Sequence, residues 1–191
     1  MMLPGTQSTT KETREKWQYT TRYRVLPRCF GTYRFRENKF PIAEIEEICV
    51  AHKTMPYADY QACRSFDLTV EIFNNDSILA DLMNFLRLNK IKRSELILKI
   101  HELSLNHKTF SKFYDEFNKE EKDNLSDNPD ILEDFAKKPG IIEKYVDGTY
   151  GTNELYKFRA IAVFYHMKEL HEIAYEAAKY IYDRVSYKKI D

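Results

Sequence analysis

The sequence is short of cysteine, of glycine and of net charge, and each shortage removes a class of function. Its three cysteines, Cys29, Cys49 and Cys63, lie 20 and 14 residues apart. They are too few and too scattered for a disulfide framework or a zinc knuckle. They read as ordinary structural thiols in a reducing, cytoplasmic setting. Only five glycines occur, and Gly5 and Gly31 stand alone, so neither builds a phosphate cradle. The nucleophile elbow G-x-S-x-G, the P-loop and G-x-G-x-x-G are all missing. Thirty basic residues cancel thirty acidic ones, which excludes a global basic field for nucleic acid or an anionic membrane. Long apolar runs are missing too. A membrane span needs about 20 residues, and the best run, Ala160 to Tyr165, has six. Met1-Met2-Leu3-Pro4-Gly5 has neither the basic n-region nor the apolar core of a secretion signal. It reads instead as the end of a buried strand entering a turn, and the expectation is that more protein once stood ahead of Met1.

What is present is the balance of a folded protein: 191 residues, 43% hydrophobic and 31% charged. That is enough for one domain or two small ones. Aromatic residues are plentiful, with 14 Tyr, 12 Phe and one Trp. A tyrosine buries its ring while its hydroxyl stays wet, which suits a helical surface that packs on something.

The chain changes character near residue 53. Four of six prolines and two of five glycines fall by residue 56. Arg22 to Leu26 alternates as a short strand does and is expected to stop at Pro27. Ile42 to Val50 fits either a strand or a short helix. Beyond it the signals are helical. Thr54 and Pro56 open a helix running to Phe73. Leu79, Leu82, Met83 and Leu86 form one stripe. Leu96, Ile97, Ile100 and Leu103 form another, and Phe110, Phe113, Tyr114 and Phe117 a third. Residues 118–127 read as an exposed loop. Asn128 caps a helix that starts at Pro129. Residues 138–140 and 147–151 are punctuation. One long helix is expected from Asn153 to about Arg184, with 160–165 central to the bundle.

Among chemistry-bearing residues, His166 and His171 are five apart on a helix and so point about 140° away from each other. They cannot share a metal. All five histidines read as surface or capping residues. Glu44, Glu46 and Glu47 form an acidic group. On a strand, Glu44 and Glu46 share a face and Glu47 points the other way. Two readings are open: a paired acid–base function, or an arginine-paired strand face. The natural partners are Arg22, Arg24, Arg28, Arg34 and Arg36. Those arginines, with Tyr23, Phe30, Tyr33 and Phe35 between them, could also grip a nucleic acid. The neutral charge and the nearby acids weigh against that.

The order of short motifs carries a resemblance. Leu3-Pro4-Gly5-Thr6 is followed by Lys11-Glu-Thr-Arg-Glu-Lys16, then Thr21-Arg-Tyr-Arg-Val-Leu-Pro-Arg28, Phe30-Gly31 and Tyr33. Next come Glu44-Ile-Glu-Glu-Ile-Cys-Val50, Lys53-Thr-Met-Pro-Tyr-Ala-Asp-Tyr60, Cys63-Arg-Ser-Phe66 and Glu71-Ile-Phe-Asn-Asn75. This series resembles the C-terminal part of radical S-adenosylmethionine (radical SAM) enzymes of the cobalamin-binding-domain type. It spans Leu3 to Asp76, 74 of 191 residues. The resemblance implies a mostly α chain. Residues 1–53 would supply late strands and turns of an incomplete TIM-like barrel, and 54–191 a helical C-terminal domain. It implies an active-site rim near Pro4, Gly5, Thr6, Arg22 and Arg24, at the strand ends where barrels place chemistry. Which face of the strand Arg22 and Arg24 occupy stays open. A structural pairing of either with Glu44 or Glu46 is the competing reading.

The parent family uses S-adenosylmethionine, a 4Fe-4S cluster and cobalamin. This chain lacks the C-x3-C-x2-C triplet, the glycine-rich cofactor turn and a cobalamin domain, so no cofactor is assigned to it and it should be catalytically silent alone. Its expected partner is the N-terminal remainder of the enzyme, in the same or a separate chain. Self-association through unpaired strand edges is also expected, a membrane or nucleic-acid partner is not. The rival reading is a self-contained helical module whose aromatic-rich last helix binds another protein.

Overall fold

The computed structural model describes residues 2–151 and 153–187, apart from the side chains of residues 76, 186 and 187. The chain is mostly helical. It divides into two compact units, residues 1–62 with 120–153, and residues 63–119 with 154–191. This division differs from a boundary at residue 53. Residues 120–153 join the first unit because they pair with and pack on its strands.

The first unit is built on one long hairpin, β1 (Thr20–Phe35) and β2 (Asn38–Ala51). Ile42 to Val50 is thus a strand. The strands pair antiparallel. Only two residues, Arg36 and Glu37, join them, and so short a link permits no other pairing. Among the described residues the parallel pairing of a TIM-like barrel is not seen. β1 does not stop at Pro27. The register slips between Val25 and Phe30, Arg28 takes a positive φ of 68°, and Pro27 lies in that bulge, where no ladder donor is required of it.

Short pairings cover both outer edges near the base of the ribbon. Tyr23 and Ser126 exchange backbone hydrogen bonds at 2.9 and 2.7 Å beside β1, and Met2 N–H donates to the Glu47 carbonyl at 2.7 Å beside β2. Residues 118–127 are therefore not one exposed loop. Helix α1 (Lys11–Trp17) precedes the hairpin, capped by the Thr10 hydroxyl.

After Ser126 come two short helices that pack on the hairpin. The first begins at Pro129 and ends at Ala136, with the Asn128 side chain accepting from the Asp130 N–H. The second is Ile141–Val146. Val25, Ile141 and Tyr145 form a small core with Phe30, Ala43 and Phe135 against it.

In chain order the remaining helices are α2 (Tyr57–Phe73), α3 (Ala80–Leu88), α4 (Arg93–Asn106) and α5 (Lys108–Asp123). Pro129–Ala136 is α6 and Ile141–Val146 is α7. The last two are α8 (Glu154–Tyr165) and α9 (Met167–Tyr187). α2 and α5 each pass from one unit's residues to the other's.

The second unit buries Leu68, Ile72, Phe110, Phe117, Leu170 and Ile173 in one core. On α2 the buried positions are Ser65, Leu68, Thr69, Ile72 and Phe73, a helical stripe with two hydroxyls in it. The expected single last helix is divided at His166. The ladder nearly carries through, since His166 N–H reaches the Ala162 carbonyl and Leu170 N–H reaches that of His166. Residues 160–165 are not central throughout. Ala162 is buried, but Phe164 and Tyr165 are each 79% exposed.

Candidate functional site

The face of β1 that carries Arg22 and Arg24 follows from the register. Arg22 stands opposite Ile48 and Arg24 opposite Glu46, so both arginines share the face that buries Ile48, Glu46 and, two residues on, Val50. A guanidinium there must meet a carboxylate, because an isolated buried charge is costly. Arg24 Nε donates to Glu46 Oε1 at 2.6 Å. Glu47, on the opposite face, is gripped by both terminal nitrogens of Arg14. Those hydrogen bonds, chiefly, hold the Glu47 carboxyl below its usual range. Two carboxylates of the acidic group are thus arginine-paired. Arg14 was not among the expected partners, because it lies on α1, before the strands.

Arg22 takes a different partner, Asp127, in the connection between α5 and α6. It lines a cleft of about 410 Å³ whose other walls are Thr20, Val50, Tyr57, Lys122, Leu125 and Asp127. All belong to the first unit. Burial pushes the Tyr57 hydroxyl's pKa up, against the opposing influence of Arg22. Its lining combines two basic residues, Arg22 and Lys122, two hydroxyl-bearing ones, Thr20 and Tyr57, two apolar ones, Val50 and Leu125, and one carboxylate, Asp127. Pro4, Gly5 and Thr6 do not line it. They form an exposed turn in which Thr6 donates to the Leu3 carbonyl through both N–H and hydroxyl, and Gly5 supplies its φ of 81°. Arg24 does not line the cleft either. Of the five residues expected at an active-site rim, the cleft contains Arg22 alone.

Arg34 and Arg36 lie at the far end of the hairpin. Tyr33 pairs with Phe40 there and Arg34 with Lys39. Tyr33, Phe35 and Phe40 are exposed, on the face opposite Arg34 and Lys39.

Cys29 and Cys49 are half-buried and Cys63 is exposed. Among the described residues no group of three or more His, Cys, Asp or Glu could hold a metal ion. Burial pushes the Cys49 thiol up, and its Sγ lies 3.3 Å from the Ala51 carbonyl.

The second unit holds a buried polar cluster that the periodicity did not reveal. The Thr69 hydroxyl lies 2.6 Å from the Tyr114 hydroxyl and 2.7 Å from His101 Nδ1. Burial pushes the Tyr114 pKa up to about 12 and the His101 pKa down. His101 is therefore a half-buried, partnered residue and not a cap, whereas His107 does cap α5, accepting from the Thr109 N–H, and His52 accepts from the Thr54 N–H in the turn before α2.

Comparison with known proteins returns no match: no family model fits the chain, and no curated protein or solved structure is significantly similar. No described helix is long and apolar enough to cross a membrane.

Proposed function

We propose that this chain is the C-terminal segment of a radical SAM protein of the cobalamin-binding-domain type, a cytoplasmic enzyme whose active site it completes and flanks without being catalytic alone. The observation that supports this is how the motif segments fasten to one another. Arg14 grips the Glu47 carboxylate and Arg24 that of Glu46, and the flanking residues Met2 and Trp17 bond to Glu47 and Lys53 through the backbone. Three of the segments whose order carries the resemblance are thus fastened to one another. In this reading the outer edge of β2, where Met2 lies, is the place at which the end of a TIM-like barrel adjoins the hairpin. S-adenosylmethionine, the cluster and cobalamin belong to the rest of that protein.

The coding sequence upstream of Met1 tests the reading. The expected result is an open frame that continues upstream and encodes C-x3-C-x2-C. An in-frame stop codon, with a start signal close to Met1, overturns it.

One observation favours a second reading, a helical protein-interaction module. Phe164, Tyr165, Tyr175 and Tyr180 are all more than half exposed on α8 and α9, and aromatic side chains are enriched where proteins meet. A clean monomer with a sharp two-state melt supports the module and counts against the barrel fragment.

A further inference from the structure

The Arg22 cleft has the composition of a receptor whose anion seat is filled from within. Arg22 offers a planar fork of donors suited to a carboxylate or phosphate. Its partner Asp127 has a side chain 79% exposed and Arg22 one 36% exposed. A pair so open to water is weak, so a competing anion displaces it at little cost. Lys122 lines the same cleft from the last turn of α5, and Thr20 and Tyr57 line it too. Val50, 1% exposed, and Leu125 supply apolar wall. Buried Glu121 acts on Tyr57 from nearby but does not line the cleft. The volume of about 410 Å³ lies near the lower end of ordinary ligand sites, roughly 300–1,000 Å³.

We propose that this cleft binds a small molecule with one carboxylate or phosphate group on an apolar ring, the anion seated on Arg22 and Lys122 in place of Asp127. The inference does not rest on the family reading, because every residue in it belongs to this chain. It holds equally for a fragment and for a free-standing protein.

The test is a titration of the whole isotope-labelled chain at low salt, followed through its amide resonances. The probes are phenyl phosphate, benzoate and inorganic phosphate. Saturable shifts are expected at Thr20, Val50, Leu125 and Asp127, with phenyl phosphate or benzoate binding more tightly than inorganic phosphate. Whichever of the two aromatic probes binds more tightly names the anion. Asp127→Asn removes the internal competitor and is expected to tighten binding by about threefold, within the worth of an exposed pair. Lys122→Gln, at an exposed position, is expected to weaken it by a similar factor. Arg22→Gln is expected to abolish it while amides distant from residue 22, such as those of α1 and of the second unit, keep their shifts. Shifts scattered over the surface overturn the proposal. So does binding that Asp127→Asn leaves unchanged or weakens, or inorganic phosphate binding as tightly as either ring-bearing probe.

Discussion

Arg14 and Glu47 meet across 33 residues of sequence through two parallel hydrogen bonds, Nη1 to Oε1 at 2.7 Å and Nη2 to Oε2 at 2.6 Å. This geometry fastens α1 to the face of the hairpin opposite Arg22. Glu47→Gln leaves a partly buried guanidinium with half its partner. It is expected to destabilise the chain by about 1–2 kcal/mol at neutral pH, read by chemical denaturation. The pH dependence has a definite sign. The folded Glu47 carboxyl titrates below its ordinary value of 4.5, so the unfolded chain binds its proton first on acidification. The stabilisation is complete above that ordinary value and is lost as pH falls through the folded one. Glu47→Gln should remove this part of the acid sensitivity. An unchanged acid limb refutes the assignment.

Thr69 serves three partners with one hydroxyl, the Ser65 carbonyl, His101 and Tyr114, and its loss should be felt by the two side chains. Thr69→Val preserves shape but leaves the Tyr114 hydroxyl buried without that partner, which costs about 1–3 kcal/mol. Tyr114→Phe made in the same background should cost much less than it does alone. A double-mutant cycle measures the difference, and simple additivity contradicts the bond.

His101 gives the second unit its own acid sensitivity. Burial lowers its folded pKa below 6.5, so the unfolded state takes up the proton first as pH falls. Its contribution to stability is complete above 6.5 and is lost as pH falls through the folded value. Histidine resonances followed by titration should place His101 below 6.5. A value at or above 6.5 rules this out.

Gly151 allows a close approach that no other residue type permits. A Cβ there would meet the Tyr145 ring and lie 3.3 Å from that of Phe30, and φ is +62°. Gly151→Ala is expected to destabilise by at least about 1 kcal/mol. Gly148→Ala also has a positive φ but meets nothing within 4 Å, so it should cost less. Thermal melts of the two variants rank them.

Phe164 behaves as a surface residue despite its apolar neighbours in sequence. Phe164→Ser should change stability by no more than about 0.5 kcal/mol, whereas Phe158→Ala, at 4% exposure, should cost about 3–5 kcal/mol. Denaturant midpoints of the two variants decide it.

What was legible in the sequence was local. Phe110, Phe113, Tyr114 and Phe117 repeat at helical spacing and all four are buried. Asn128 and Pro129 mark a helix start that needs no tertiary partner. Glu46 and Glu47 could be assigned to opposite faces because strand alternation is strict. The missed features depend on distant residues or break an apolar pattern. Thr69 and His101 lie in or beside a core yet read as polar, so their stripes seemed shorter. Pro27 signals an end, but the bulge absorbs it. Arg22 was identifiable as a candidate. The cleft around it was not, since Lys122, Leu125 and Asp127 come from about a hundred residues further on and nothing local marks their approach.

That separation has a consequence for the order in which the protein is made. The backbone pairing of Tyr23 with Ser126, and the packing of α6 and α7 on the hairpin, join the two ends of a discontinuous unit. During synthesis at about 5–20 residues per second, β1 and β2 emerge roughly 4–20 seconds before residues 120–153 arrive. Throughout that interval the nascent ribbon exposes the β1 edge and the side of Val25 that Ile141 and Tyr145 later cover. Of the two units the first is therefore the first to begin folding, and it cannot finish until residues 120–153 have left the ribosome.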